Sequence, residues 1–280
     1  MKRTIRKAFP LFVLPTLIAF TIGFIIPFIS GVYLSFCKFK VITDATWVGL
    51  QNYTKVFQDG TFIHALWYTV AFTVVSVITI NLLAFIVALF LTKKFRGTKL
   101  FRTIFFMPNL IGGIILGYIW QIILNGVLAH FGVTLTYDPK YGFWGLVILM
   151  NWQQIGYMMI IYVAAIMSVP TELIESAEID GANKWQRLLN VTIPAVRPSI
   201  TICLFLTLTN SFKLFDQNLA LTGGDPAKES QLLALNIYDT FYGRVGYQGV
   251  GQAKAVIFTI IVAAIAFIQL YLTRRKEEQA

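Results

Sequence analysis

Five stretches of this chain, residues 8–37, 60–92, 103–137, 141–171 and 255–273, contain no Asp, Glu, Lys or Arg. Each is long enough for a membrane-spanning helix, which needs about 20 mostly apolar residues. A sixth gap, Pro198–Phe212, is 15 residues long. Within the gaps apolar residues run on without alternation, which favours helices over barrel strands. Composition agrees, since 13% of the chain is charged where an ordinary globular domain carries about 25%. So few ionic groups cannot cover a water-soluble domain of this size. The expected fold is all-α and polytopic, a single transmembrane domain over residues 1–280. Its six helices are expected near 11–33, 66–91, 103–124, 143–166, 197–219 and 253–273, with a cytoplasmic helix–turn–helix over 168–198.

Lys and Arg in short loops mark the cytoplasmic side. The N-terminus (Lys2, Arg3, Arg6, Lys7), the 92–102 segment (Lys93, Lys94, Arg96, Lys99, Arg102), the 168–198 loop and the tail (Arg274, Arg275, Lys276) hold 15 of the 23 basic residues. Both termini are therefore expected in the cytoplasm. The net charge of +10 follows from that orientation and from anionic headgroups, and calls for no nucleic acid. The first span has a basic start but 30 uncharged residues and no small-residue cleavage pattern, so it reads as an anchor rather than a cleaved signal. Cys37 and Cys203 form no ligand cluster and read as apolar packing residues.

Chemistry-bearing motifs are missing. There is no GxxxxGK[ST], HExxH or GxSxG, and His64 and His130 lie far apart, in loops expected outside. All 13 acids fall in loops or at helix ends, whereas a proton-coupled carrier usually holds ionisable groups within its spans. The expectation is a pore-like bundle with no catalytic residue, no metal and no cofactor of its own. Such a bundle needs a partner that supplies energy.

Residues 168–198 read unlike a simple connector. Pro170 suits a first helical turn, and Glu172 and Glu175 stand near that helix's positive end. Leu173, Ile174 and Ala177 share a face. Gly181 can close the helix in the left-handed conformation. Asn183 and Gln186 fit a capping box for a second helix, which Pro194 and Pro198 are expected to stop. The elbow leaves Leu173, Ile174, Trp185, Leu188 and Leu189 to bury, either against its own bundle or against a second protein.

Glu175-Ser176-Ala177, then Asp180-Gly181-Ala182 and Ile193-Pro194, resembles the EAA loop of permease (inner-membrane) subunits of binding-protein-dependent ABC importers. Val48-Gly49-Leu50-Gln51-Asn52-Tyr53, and Phe215-Asp216 followed by Leu221-Thr222-Gly223-Gly224 and Pro226, are similar to the sugar branch, the maltose- and glycerol-phosphate-type permeases. Two departures are Ser176 for the second letter of Glu-Ala-Ala and Asp225 where the family commonly has glycine. The resemblance implies a subunit without enzymatic activity that passes a sugar or oligosaccharide across a bacterial or archaeal cell (inner) membrane. It implies a second homologous permease, two cytoplasmic ATPases that bind the ATP and Mg, and an extracytoplasmic solute-binding protein. It assigns coupling to the ATPase to Glu175, Ala177, Asp180, Gly181, Ala182 and Pro194. An ABC permease for a non-sugar solute, or an ion-coupled carrier, is the alternative.

Two polar stripes suit a sugar path. Met150, Gln154 and Tyr157, with Asn151 beside them, share a face of the fourth helix, and Thr207, Asn210, Ser211 and Leu214 share a face of the fifth. Both match, by their distance from the EAA loop, the sugar-lining region of maltose-type permeases; Tyr118 and Trp120 are further aromatic candidates. The competing reading is that these side chains join neighbouring helices. Because the fifth gap rises only about 22 Å, Lys213 and Asp216 are expected within the outer membrane at i, i+3. There they serve as an ion pair or as a contact for substrate or binding protein.

Overall fold

The computed structural model describes residues 13–93 and 96–277, the stretch after Tyr271 by its backbone alone. The N-terminal basic cluster, Lys94 and the first two residues of the expected 11–33 span lie outside the described residues. The helices in chain order are α1 (Val13–Ser35), α2 (Gln51–Gln58), α3 (Gly60–Leu91), α4 (Thr98–Phe106), α5 (Gly113–Ala129), α6 (Pro139–Met167), α7 (Thr171–Ile179), α8 (Lys184–Ala195), α9 (Arg197–Phe212), α10 (Asp216–Leu221), α11 (Leu233–Gly243) and α12 (Gln248–Glu277). Between α1 and α2 a short antiparallel ribbon pairs β1 (Cys37–Lys38) with β2 (Thr46–Trp47), Cys37 opposite Trp47.

Among the described residues four helices are long and apolar enough to cross a membrane: α1, α3, α6 and α12 up to Tyr271. Two more candidates are bent. The expected 103–124 span is broken, with the segment Thr98–Leu110 turning by 102° into α5. Pro108 lacks an N–H and Gly112 takes an extended conformation (φ −59°, ψ 140°), so the i→i−4 ladder fails at that point. The expected 197–219 span stops at Phe212, where Lys213 leaves helical geometry (φ −90°, ψ 10°), and Phe215 (φ −125°, ψ −60°) keeps the chain from resuming it before Asp216. Beyond the stop, buried amides take over the hydrogen bonding. Gln217 Nε2 donates to Gln153 Oε1 at 2.8 Å, Asn218 Nδ2 donates to the Ser230 carbonyl at 2.9 Å, and the Leu232 N–H reaches Asn218 Oδ1 at 2.8 Å. His64, expected in a loop, lies within α3.

The chain divides into two compact units. The first comprises described residues up to Gly60 with Ile237–Ile260. Here Gly49, at φ +61°, makes the turn into α2, and buried Asn52 donates to the carbonyls of Ser35 and Cys37, both at 2.9 Å. One amide thus satisfies two acceptors where α1 gives way to the ribbon. Fully buried Lys254 donates to Asp59 at 2.7 Å and to Thr240 at 2.8 Å, and Arg244 stands 4.0 Å from the same carboxylate.

The second unit comprises Thr61–Asn236 with the residues from Ile261 on. Its apolar core includes Phe72, Ile80, Leu146, Leu149, Met158 and Met159. A polar chain runs through that core. Tyr162 Oη donates to Asn81 Oδ1 at 2.7 Å, Asn81 Nδ2 donates to Thr207 Oγ1 at 2.8 Å, and Thr207 donates to the Cys203 carbonyl at 2.6 Å. It joins α3, α6 and α9. Both cysteines are buried and free.

Small residues set the closest approaches, as membrane helices require. A Cβ on Gly117 would fall 2.6 Å from Ala220 Cβ, which lets α10 lie on α5. On Gly156 it would overlap the Phe105 carbonyl, so α4 and α6 approach backbone to backbone. Gly156→Ala must push these helices apart, and we expect it to lower stability by about 1–3 kcal/mol, the usual range for overpacking. Thermal unfolding of the detergent-solubilised protein checks this; an unshifted midpoint contradicts the packing described.

Candidate coupling elbow and translocation pocket

The elbow lies in the second unit and is built from local rules. Pro170 is the residue before the first turn of α7, rather than within it. At the far end the Gly181 N–H donates to the Glu178 carbonyl at 3.1 Å and the Ala182 N–H to the Ala177 carbonyl at 2.9 Å. With Gly181 at φ +83°, this is a left-handed helix termination satisfying two open carbonyls. The next helix starts at once. Asn183 Oδ1 accepts from the Gln186 N–H at 3.0 Å, and Gln186 Oε1 accepts from the Asn183 N–H at 2.8 Å. Arg187 Nη1 reaches Glu178 Oε2 at 2.6 Å across the turn. The corner is therefore pinned from both helices.

Pro194 does not stop α8. The helix passes through a π-turn at Leu188–Thr192 and continues over Ile193–Ala195. The wider turn shifts backbone pairing just ahead of the residue that has no N–H to give. The bend comes later, at Val196, where α8 and α9 meet at 70°. Between the arms lies a concavity of about 540 Å³, lined by Leu173, Ala177, Asp180, Val191, Pro194 and Pro198 among others. It gathers three of the predicted coupling residues, Ala177, Asp180 and Pro194. Glu175 is exposed and outside it, Ala182 is half-buried at the turn, and Gly181 stands at the tip with nothing within 4 Å of a built Cβ. Leu173, Trp185 and Leu189 are exposed, and Ile179 at the tip is 86% exposed. The elbow keeps these apolar groups uncovered.

The stripes meet at one level only. A pocket of about 280 Å³ is lined by Met150 and Gln154 from α6, Asn210 from α9, and Lys213, Leu214, Phe215, Asp216 and Gln217 from the break before α10 and its first turn. Gln154 Oε1 is buried and has no hydrogen-bond partner among the described residues. The other stripe residues face helices. Asn151 Nδ2 donates to Thr79 Oγ1 at 2.9 Å, Tyr157 packs on Phe106 with ring centroids 6.5 Å apart, and Thr207 belongs to the buried chain with Asn81. Ser211 is fully buried, its hydroxyl unpaired among the described residues. Tyr118 is exposed, and Trp120 stands edge-on to Trp152 at 5.6 Å. Tyr157 lies towards the elbow end of α6 and Thr207 precedes Asn210 on α9, whereas the pocket opens where α9 has ended.

Lys213 and Asp216 are both exposed and form no ion pair with each other. The i, i+3 geometry does not apply, because α9 ends before Lys213 and α10 begins at Asp216. Both charges line the pocket instead. Sequence reasoning missed Phe215 and Gln217 as lining, and missed Asn81 and Tyr162 as the partners that claim Thr207. Asn81 was the available signal, a lone amide in a charge-free run. Among the described residues no group of three or more His, Cys, Asp or Glu could hold a metal ion.

The pocket separates the two readings of Gln154. Removing a buried acceptor that has no partner costs no hydrogen bond. Gln154→Leu should therefore leave thermal stability within about 0.5 kcal/mol while uptake falls. A loss of stability with normal uptake would mean that Gln154 joins helices.

Comparison with known proteins gives a consistent picture. A family model described as "Binding-protein-dependent transport system inner membrane component" matches residues 80–278. The probable starch degradation products transport system permease protein AmyD of Thermoanaerobacterium thermosulfurigenes is 44% identical over 275 residues, covering 95% of this chain and 94% of that protein. The multiple sugar-binding transport system permease protein MsmF of Streptococcus mutans is 29% identical, covering 95% of each. A chain from the crystal structure of a bacterial alginate ABC transporter, in complex with an alginate pentasaccharide-bound periplasmic protein, superposes with a TM-score of 0.83. It is 22% identical, and 99% of this chain and 98% of that one are covered.

Proposed function

Because the chain belongs to the family of inner-membrane components of binding-protein-dependent transport systems, we propose that it is the permease subunit of an ATP-driven sugar importer. It passes a sugar or oligosaccharide, delivered by an extracytoplasmic binding protein, towards the cytoplasm. Relatives named for starch degradation products and for multiple sugars support that substrate class. The chain is a conduit and a lever without enzymatic chemistry. ATP and Mg are bound by two partner ATPases, and a second homologous permease completes the path. Both termini are cytoplasmic, in keeping with the excess of Lys and Arg on that side.

The observation that carries this reading is the elbow, a doubly capped corner with an uncovered apolar end. A rigid corner transmits displacement where a flexible loop would absorb it. In the proposed cycle ATP closes the ATPases, the elbow moves with them, and the bundle opens outward to receive sugar. The pocket offers hydrogen-bonding groups of both kinds, with Asn210, Gln154, Lys213 and Asp216 around the apolar Met150 and Leu214. It contains no arginine clamp of the sort a phosphorylated substrate favours.

Gly181→Val tests the lever. No atom lies near its built Cβ, so the substitution acts through the backbone, where a β-branched residue at positive φ is an outlier. The expected strain is about 1–2 kcal/mol, spent in distorting the corner. We expect normal insertion and assembly, with uptake and sugar-stimulated ATP hydrolysis both reduced about tenfold or more. Full transport by an assembled Gly181→Val complex would refute the assignment.

A further inference from the structure

A third cavity, of about 640 Å³, lies in the same unit where α3 ends and α4 begins, and the transport cycle proposed above does not use it. Lys93, Arg96, Lys99 and Arg102 line it together with Thr98 and Met167, and its lining contains no acid. We propose that it binds the phosphate of an anionic phospholipid headgroup in the inner leaflet.

Four cations around one concavity repel one another, and among the described residues none is in an ion pair with a carboxylate. Arg102 is held in place: its Nη2 donates to the Leu91 carbonyl at 2.7 Å and lies 3.5 Å from Met167 Sδ. Its Nε is buried and has no partner among the described residues, so one N–H of a fixed guanidinium lacks an acceptor. The Lys93 ammonium stands over the Phe90 ring, 5.5 Å from its centroid. The first turn of α4, after Gly97 at φ +96°, adds the positive end of a helix. These features select an anion with several acceptor oxygens, which is the chemistry of a phosphate ester.

The surroundings point to lipid as its source. Phe90, Leu100 and Phe101 beside the cations are 59%, 62% and 46% exposed, an apolar apron suited to acyl chains. The 92–102 segment is the most basic of the loops, and such segments lie against the anionic cytoplasmic surface. Arg102 also touches the last residue of α6, a few residues before α7, so a bound lipid braces the root of the elbow. The proposal does not depend on which solute is carried.

The test uses the purified whole transporter in nanodiscs of phosphatidylcholine, with and without phosphatidylglycerol, and counts retained lipid by native mass spectrometry. The wild-type complex should keep phosphatidylglycerol in preference to phosphatidylcholine. In Lys93→Gln/Arg96→Gln/Lys99→Gln, where all three side chains are exposed, retention should fall roughly tenfold or more. Lys38→Gln/Lys40→Gln/Lys55→Gln, also exposed, should keep it. If millimolar inorganic phosphate displaces the lipid and itself binds with the same dependence on the three residues, the phosphate site stands but its source is soluble, and the lipid assignment is overturned. Unchanged lipid retention in the first triple variant overturns the proposal, including the case in which that variant loses its ATPases instead. Should the variant not fold, hydrogen exchange on the wild type decides: residues 96–102 should be protected by phosphatidylglycerol and not by phosphatidylcholine. Equal exchange in the two lipids rejects the site.

Discussion

Lipid offers no hydrogen bonds, so every backbone N–H and C=O at membrane depth must find its partner inside the protein. This constraint makes the chain helical, and it makes each helix break a place that needs explanation. Among the described residues of the second unit, breaks fall at Ile111–Gly112, at Val196 and between Phe212 and Asp216. Gln153 serves two of them. Its Nε2 donates to the Ile111 carbonyl at 3.3 Å, and its Oε1 accepts from Gln217 beside the third break. One buried amide on α6 thus supports the interruptions on either side of it. The third break edges the pocket and the break at Val196 roots the elbow, so the two candidate sites lie where the helices stop being straight.

The elbow shows how polar capping outside the lipid can make a stiff part from few residues. Neither arm is long enough to be stable alone in water. The termination at Gly181, the reciprocal Asn183–Gln186 bonds and the Arg187–Glu178 pair fix the corner without covering its apolar end. Exposed Ile179 and Trp185 are costly in water and favourable in a protein cleft. Stiffness and incompleteness together are what a coupling element needs.

Much of this was legible in the sequence. The charge-free runs mark the long helices because charges are expensive in lipid, and the turn at Gly181 with its capping residues follows from local backbone rules. The rest depended on tertiary context. A charge map cannot see that Pro108 and Gly112 break a run that stays apolar throughout. The Lys213–Asp216 pair assumed a continuous helix, and the chain leaves helical geometry between them. Thr207 and Asn151 share a periodic face with pocket residues, yet Asn81 and Thr79 of α3 claim them, and periodicity cannot name a partner on another helix. Pro194 was read as a stop because a π-turn has no sequence signature.

We propose that the tip of the elbow sits in a cleft of an ATPase on the cytoplasmic side. Ile179→Cys in the assembled transporter tests it most directly, since Ile179 is 86% exposed and both native cysteines are buried. A short bifunctional thiol reagent should link this position to the ATPase subunit, and without the ATPases it should be modified only from the cytoplasmic face. Modification from the outer face, or no link to the ATPase in a complex that hydrolyses ATP, would contradict it.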